Sequence, residues 1–282
     1  MYRLVEASAA VREAVPAELV PVFWVVTALG SANFLLFGLL LAYWNDRRRR
    51  RELLAVISVA FVAVSMTLAL KYWFGLPRPP AAVQRYPIEP SAVGFPSGHA
   101  IAATTVYGGA LLAFDRVRDP RAVLGVGTLV ALIGLSRVVL GVHYLGDVLA
   151  GFAVGVAMLA VLAVALDRGV TVVFGFAVAL SVPAVLVTTD TGDAALALGG
   201  SIGGLAATLW RTRSERFRSR AERALVNVAG MGFVGLAILV AETVETMLVA
   251  TAAVNLALAF VIVALPSLVG RLDGLPGMTV TE

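Results

Sequence analysis

The 282-residue chain has no cysteine, two histidines, a single lysine and only 14% charged residues. Without cysteine, disulfides and thiolate metal sites are excluded. A soluble domain carries charge on roughly a quarter of its residues, so an ordinary soluble fold is excluded as well. What is present is apolar: 60% of residues are hydrophobic and the mean hydropathy is +0.91. The chain reads as an all-α, polytopic transmembrane helical bundle. Its first apolar run, Val22 to Trp44, is longer than a signal-peptide core, and the preceding residues carry Glu6, Glu13 and Glu18 in place of a basic segment, so no cleaved leader is expected.

Arginine is concentrated in the breaks between apolar runs. Those breaks delimit nine candidate spans near 22–44, 53–74, 99–114, 122–142, 143–166, 170–188, 194–210, 224–241 and 247–266, close to the ~17–25 residues a bilayer requires. The loops after spans one, three, five and seven, with the tail after span nine, hold sixteen of the 22 basic residues. By the positive-inside rule they lie in the cytoplasm, which puts the N-terminus outside and the C-terminus inside. This distribution, and not nucleic-acid binding, accounts for the pI of 9.8; the run Arg47 to Arg51 is also compatible with a lipid-headgroup patch.

Six basic residues fall elsewhere: Arg3, Arg12, Lys71, Arg78, Arg85 and Arg137. Arg3 and Arg12 belong to an amphipathic leader, read as an interfacial helix, and Arg85 to a long outer loop. Lys71, Arg78 and Arg137 all approach the outer membrane surface, as do both histidines, His99 and His143. Asp147 follows His143 by four residues, a spacing that on a helix puts both on one face. A lysine at a helix end snorkels to headgroups in many membrane proteins, whereas an ammonium beside guanidinium groups suits a tetrahedral phosphate; for Lys71 both readings stand.

Pro96-Ser97-Gly98-His99 opens span three. Ser97 is a natural N-cap, and the first turn of such a helix presents unpaired N–H groups and a positive dipole end to an anion. Gly98 lets a ligand approach that backbone closely.

Taken together, KYWFGLPRP (Lys71 to Pro79), PSGH (Pro96 to His99) and SRVVLGVHYLGD (Ser136 to Asp147) resemble the type 2 phosphatidic acid phosphatase (PAP2) superfamily, whose motifs are K-x6-RP, PSGH and SR-x5-H-x3-D. The resemblance covers roughly residues 50 to 166. It implies the integral-membrane lipid phosphatase branch, with a six-helix catalytic core. The organisation expected is then an interfacial leader at 1–21, that catalytic core at 22–168 and additional helices at 169–282. The resemblance implies metal-independent hydrolysis of a lipid phosphate or polyprenyl (di)phosphate at the extracytoplasmic face, without a cofactor. His143 would be the nucleophile that forms a phosphohistidine, Asp147 its orienting partner and His99 the general acid. Lys71, Arg78, Ser97, Gly98 and Arg137 would bind the phosphoryl group. The partners implied are membrane lipids and a lipid phosphate substrate, and no nucleic acid.

Three adjacent cations oppose a zinc site built on the two histidines and Asp147. The outer loop from Gly75 to Phe95, with Tyr86 and Glu89, is expected to cover the site and select the substrate. A glucose-6-phosphatase-like hydrolase shares the span count and orientation, and a phosphohistidine also permits transfer to an alcohol acceptor. A lipid transporter or scaffold is the alternative of a different class. Spans six to nine carry Asn227, Glu242, Glu245, Asn255 and the run GGSIGG (Gly199 to Gly204), read as helix-packing glycine and not as a nucleotide loop. Neither the oligomeric state nor the particular substrate is set by the sequence.

Overall fold

A backbone in hydrocarbon must satisfy its own hydrogen bonds, so the apolar stretches fold as helices. The computed structural model describes residues 3–85, 92–188, 191–210, 220–243 and 247–272. Eleven helices occupy them: α1 (Val5–Glu13), α2 (Val20–Ala28), α3 (Ala32–Asn45), α4 (Arg50–Phe74), α5 (Gly98–Ala113), α6 (Pro120–Val139), α7 (Leu145–Arg168), α8 (Val170–Val187), α9 (Thr191–Trp210), α10 (Arg220–Thr243) and α11 (Leu248–Leu272). The only extended pairing among the described residues is an isolated bridge between Pro77 and Val93. The chain is an integral membrane protein, and seven of its described helices are long and apolar enough to cross a bilayer.

The expected span 22–44 is broken. The chain bends by 52° between Ala28 and Ala32, so that α2 and α3 together form either one broken span or a re-entrant pair. The physical cause is local: Ser31 caps α3 by accepting the Phe34 N–H at 3.2 Å, which ends one helix and starts another at Leu29-Gly30-Ser31. The expected third span, α5, has only sixteen residues, about 24 Å at the helical rise. It is shorter than the bilayer core and begins at the buried Ser97.

Helix α4 is the hub, packed against α3, α5, α8 and α9, while α5 lies between α4 and α7. The C-terminal helices join this hub through small residues. On α9, Gly199 and Gly203 bring its backbone against the carbonyls of Ala252 and Leu256 on α11, where a Cβ would collide. One residue further round, Gly200 and Gly204 receive the rings of Phe61 on α4 and Phe174 on α8, themselves 6.0 Å apart. The GGSIGG run is thus two interleaved small-xxx-small faces, each holding a different neighbour.

A second tie joins α3 to α11. Pro266 lies inside α11 and has no N–H to give the carbonyl four residues back. That carbonyl, Ile262, accepts from the Trp44 indole at 3.0 Å, and Tyr43 Oη donates to the Val263 carbonyl at 2.9 Å. The polar side chains of the later spans are likewise engaged: Asn227 exchanges amide bonds with Asn45 at 2.9 and 3.1 Å, and Asn255 donates to the Thr251 carbonyl. The side chains of Glu242 and Glu245 lie outside the described residues. An apolar cleft of about 730 Å³ between α3, α4, α9, α10 and α11, lined by Phe37, Leu196 and Ile238 among others, contains none of the candidate site residues.

Candidate active site

The site is built on the start of α5. Ser97, fully buried, caps the helix by accepting the Ala100 N–H at 3.4 Å. The N–H groups of Gly98 and His99 precede the first helical acceptor and so point out of the helix end. Space there is tight: a Cβ on Gly98 would lie 2.8 Å from the Thr67 methyl and 3.8 Å from Lys71 Nζ. Glycine is therefore what lets the Thr67 turn of α4 pack directly against this helix terminus, with the Lys71 ammonium beside it. On the opposite flank, His99 packs against Gly30, the residue at the break between α2 and α3. Tyr107 Oη donates to the Leu29 carbonyl at 2.9 Å and holds that break in place.

The turn between α6 and α7 carries the second half. Arg137 is buried in the last turn of α6 and donates to Thr27 Oγ1 at 2.7 Å. Its carbonyl accepts the Val142 and His143 N–H groups at 3.2 and 3.3 Å, which folds the turn back on itself. Gly141 adopts φ +72 and lies under the Val83 carbonyl, where any side chain would collide. Beside it the Arg85 N–H reaches the Leu140 carbonyl at 2.8 Å, so the outer loop and this turn are locked together.

His143, 1% exposed, lies between Arg78 and Asp147. Arg78 Nη1 lies 3.0 Å from Nε2 and also donates to the Val142 carbonyl at 3.1 Å. Nδ1 lies 3.5 Å from Asp147 Oδ2. A guanidinium offers only donors. The ring nitrogen facing Arg78 is therefore the one with the lone pair, and the proton belongs on Nδ1, towards the carboxylate. The helical explanation for this pair needs correcting: α7 begins at Leu145, so His143 precedes it. The two groups meet because Asp147, in the first turn, reaches back to accept the Tyr144 N–H at 2.9 Å.

The two halves meet through the backbone, where the Ser97 N–H donates to the Asp147 carbonyl at 3.0 Å. The cationic groups of Arg137, Lys71 and Arg78, and the His143 ring, all lie close enough to act on His99. Lys71, Arg78, Ser97, Gly98, His99, Arg137, His143 and Asp147 thus come from four separate segments to one locus. His143, Asp147, Ser97 and Arg137 are buried, while Lys71, Arg78 and His99 are partly open. Among the described residues no three of His, Cys, Asp and Glu gather as a ligand set for a metal. At the rim, Trp73 is 74% exposed and Phe74 packs edge-on against Phe95, centroids 5.1 Å apart. Tyr86 and Glu89 lie outside the described residues.

Sequence reasoning missed Thr27, Gly30 and Arg3. Gly30-Ser31 inside an apolar run was a legible break signal, but nothing local places it against His99. Arg3 was visible only as a cation on the wrong side for the arginine rule. In the structure its guanidinium grips Asp147.

Residues 52–171 match the family model described as the PAP2 superfamily. Phosphatidylglycerophosphatase B of Bacillus subtilis (strain 168) is 31% identical over 140 residues, which cover 46% of this chain and 66% of that protein. Decaprenylphosphoryl-5-phosphoribose phosphatase, from two strains of Mycobacterium tuberculosis, is 38% identical over 109 residues, covering 38% of this chain and 58% of the relative. No solved structure gives a significant match.

Proposed function

With residues 52–171 belonging to the PAP2 superfamily, we propose that the chain is a membrane phosphatase that hydrolyses a lipid phosphate or polyprenyl (di)phosphate through a phosphohistidine. The observation that carries this reading is the setting of His143, whose Nε2 lone pair faces Arg78 and whose Nδ1 faces Asp147. A neutral imidazole oriented by a carboxylate, with its reactive nitrogen among cations that hold a phosphoryl group, is an activated nucleophile.

In the proposed first step, Arg78 exchanges the Nε2 lone pair for phosphoryl oxygens, joined by Lys71, Arg137 and the N–H groups of Gly98 and His99. Nε2 attacks phosphorus, the N–P bond forms, and the P–O bond to the leaving group breaks. His99, carrying a proton once the substrate's negative charge is bound beside it, gives that proton to the departing oxygen. In the second step His99 takes a proton from water, the water oxygen bonds to phosphorus and the N–P bond breaks. Inorganic phosphate and neutral His143 result. The catalytic work is mainly positioning and stabilisation of charge on the equatorial oxygens.

A lipid substrate is supported by the exposed Trp73 and the Phe74–Phe95 pair at the rim, an amphipathic border suited to headgroup depth. The names of the similar proteins, both of which act on lipid-linked phosphates, point the same way. The arginine distribution supports a site on the extracytoplasmic side, with the N-terminus outside and the C-terminus in the cytoplasm. The division into a leader at 1–21, a catalytic core at 22–168 and a C-terminal extension at 169–282 belongs to the same proposal.

The test is phosphate release in detergent with EDTA, comparing wild type and His143→Ala on phosphatidic acid, a polyprenyl diphosphate and glucose 6-phosphate. The proposal expects EDTA-resistant, His143-dependent release from one of the two lipids. Preference for glucose 6-phosphate would replace the substrate class, and full activity in His143→Ala would remove the nucleophile.

A further inference from the structure

The N-terminal leader does more than border the membrane. Arg3 Nε and Nη2 donate to Asp147 Oδ1 and Oδ2 at 2.8 and 2.9 Å, a two-point clamp on a carboxylate with no solvent exposure. The Arg3 side chain is itself 12% exposed, and its guanidinium lies over the Tyr144 ring, 4.6 Å from the centroid. An arginine reaching for headgroups would be far more open.

The surrounding backbone is arranged to the same end. The first N–H groups of a helix lack helical acceptors, and the leader supplies two for α7. The Arg3 carbonyl accepts the Gly146 N–H at 3.1 Å. Ser8 Oγ accepts the Leu145 N–H at 2.8 Å while donating to the Leu4 carbonyl at 2.6 Å. Leu4 has φ 54, which turns the chain so that both the carbonyl and the side chain of Arg3 meet α7. With the Tyr144 N–H also on Oδ2, the carboxylate is fixed in position and in orientation.

We propose that Arg3 is a positioning residue of the hydrolytic site, holding the Asp147 carboxylate in the orientation that aligns His143 for attack. This deepens the phosphatase reading and rests on it. Arg3 touches no substrate; it acts through Asp147. A bidentate guanidinium fixes both oxygens of a carboxylate, which a single ammonium does not. The leader is then part of the catalytic unit, although it lies outside the region that matches the family.

The test is a double-mutant cycle on the full chain with phosphatidic acid in mixed micelles, reading kcat and KM separately for wild type, Arg3→Met, Asp147→Asn and the double variant. Arg3→Met is expected to lower kcat by about 10- to 100-fold, the range typical of groups that orient a functional ligand from behind, with KM changed less than about twofold. In the Asp147→Asn background the same substitution is expected to change kcat by less than about threefold, because the two residues act as one unit. Arg3→Lys is expected to recover only part of the loss, and it carries the cycle if Arg3→Met does not purify as a folded protein.

Wild-type kcat in Arg3→Met, or equal losses in both backgrounds, would overturn the proposal; the second outcome would make Arg3 a docking contact of the leader. A wild type inactive on both phosphatidic acid and a polyprenyl diphosphate, or an active His143→Ala, would instead sink the phosphatase reading.

Discussion

Arg78 Nη1 and His143 Nε2 lie 3.0 Å apart, a donor facing the lone pair of the nucleophile assigned above. The arrangement sets the resting tautomer and places the cation where a phosphoryl group arrives. Arg78→Lys keeps the charge and loses the planar fork. It is expected to lower kcat/KM by roughly 10²-fold, comparable with removing one donor from a developing oxyanion. Steady-state kinetics on the purified variant check this, and wild-type kcat/KM would show that Arg78 acts as a point charge alone.

Asp147→Asn keeps the shape of the side chain and removes its charge. The amide can no longer take the Arg3 fork on both of its terminal atoms or present a negative charge to Nδ1 3.5 Å away, so His143 loses the group that favours its tautomer. A fall in kcat of roughly 10²- to 10⁴-fold is expected, leaving weak but measurable turnover. Full activity would take Asp147 out of the mechanism.

Gly98 tests the helix-terminus cradle. An alanine there puts its methyl 2.8 Å from the Thr67 methyl, so Thr67, one helical turn before Lys71 on α4, has to give, while Lys71 Cε at 3.6 Å stays in ordinary contact. Gly98→Ala is expected to raise KM and the inhibition constant for inorganic phosphate together, with little change in thermal stability. A loss of stability without a change in phosphate affinity would mean that Gly98 serves packing only.

The glycines of the C-terminal helices separate packing from mere flexibility. Gly203→Ala places a methyl on the Leu256 carbonyl, whereas Gly232→Ala places one in open space. The first is expected to cost about 1–3 kcal/mol; the second, on α10, is expected to be neutral or to stabilise by up to about 1 kcal/mol. Thermal unfolding in detergent distinguishes them.

Trp44 tests the junction at Pro266. Trp44→Phe keeps one aromatic ring but removes the pyrrole ring whose N–H donates to the Ile262 carbonyl, leaving a part-buried acceptor unsatisfied at a cost of about 1–3 kcal/mol, beside the packing lost with the smaller side chain. A lowered Tm with unchanged turnover per folded molecule is the expected result.

The helices of this fold are legible in the sequence because arginine loops punctuate apolar runs: α4, α6, α8 and α9 start and end within a few residues of the expected spans. Local chemistry also foretells the Ser97 cap. Relationships set by tertiary packing are not legible. The bend at Gly30 follows from a local Gly-Ser signal, yet its contact with His99 joins residues far apart in sequence. Arg3 and Asp147 are 144 positions apart, and no periodicity links them. The pairing of His143 with Asp147 is readable from spacing, but the reason is a reach back from the first turn of α7 and not a shared helical face.

The central claim is a phosphorus–nitrogen bond at His143. Wild type mixed with ³²P-labelled phosphatidic acid, or with labelled polyprenyl diphosphate if that is the better substrate, and quenched within one turnover tests it directly. The account predicts base-stable, acid-labile label on the peptide containing His143, absent from His143→Ala. Label on His99, or turnover without any labelled protein under conditions that trap the intermediate, would contradict it.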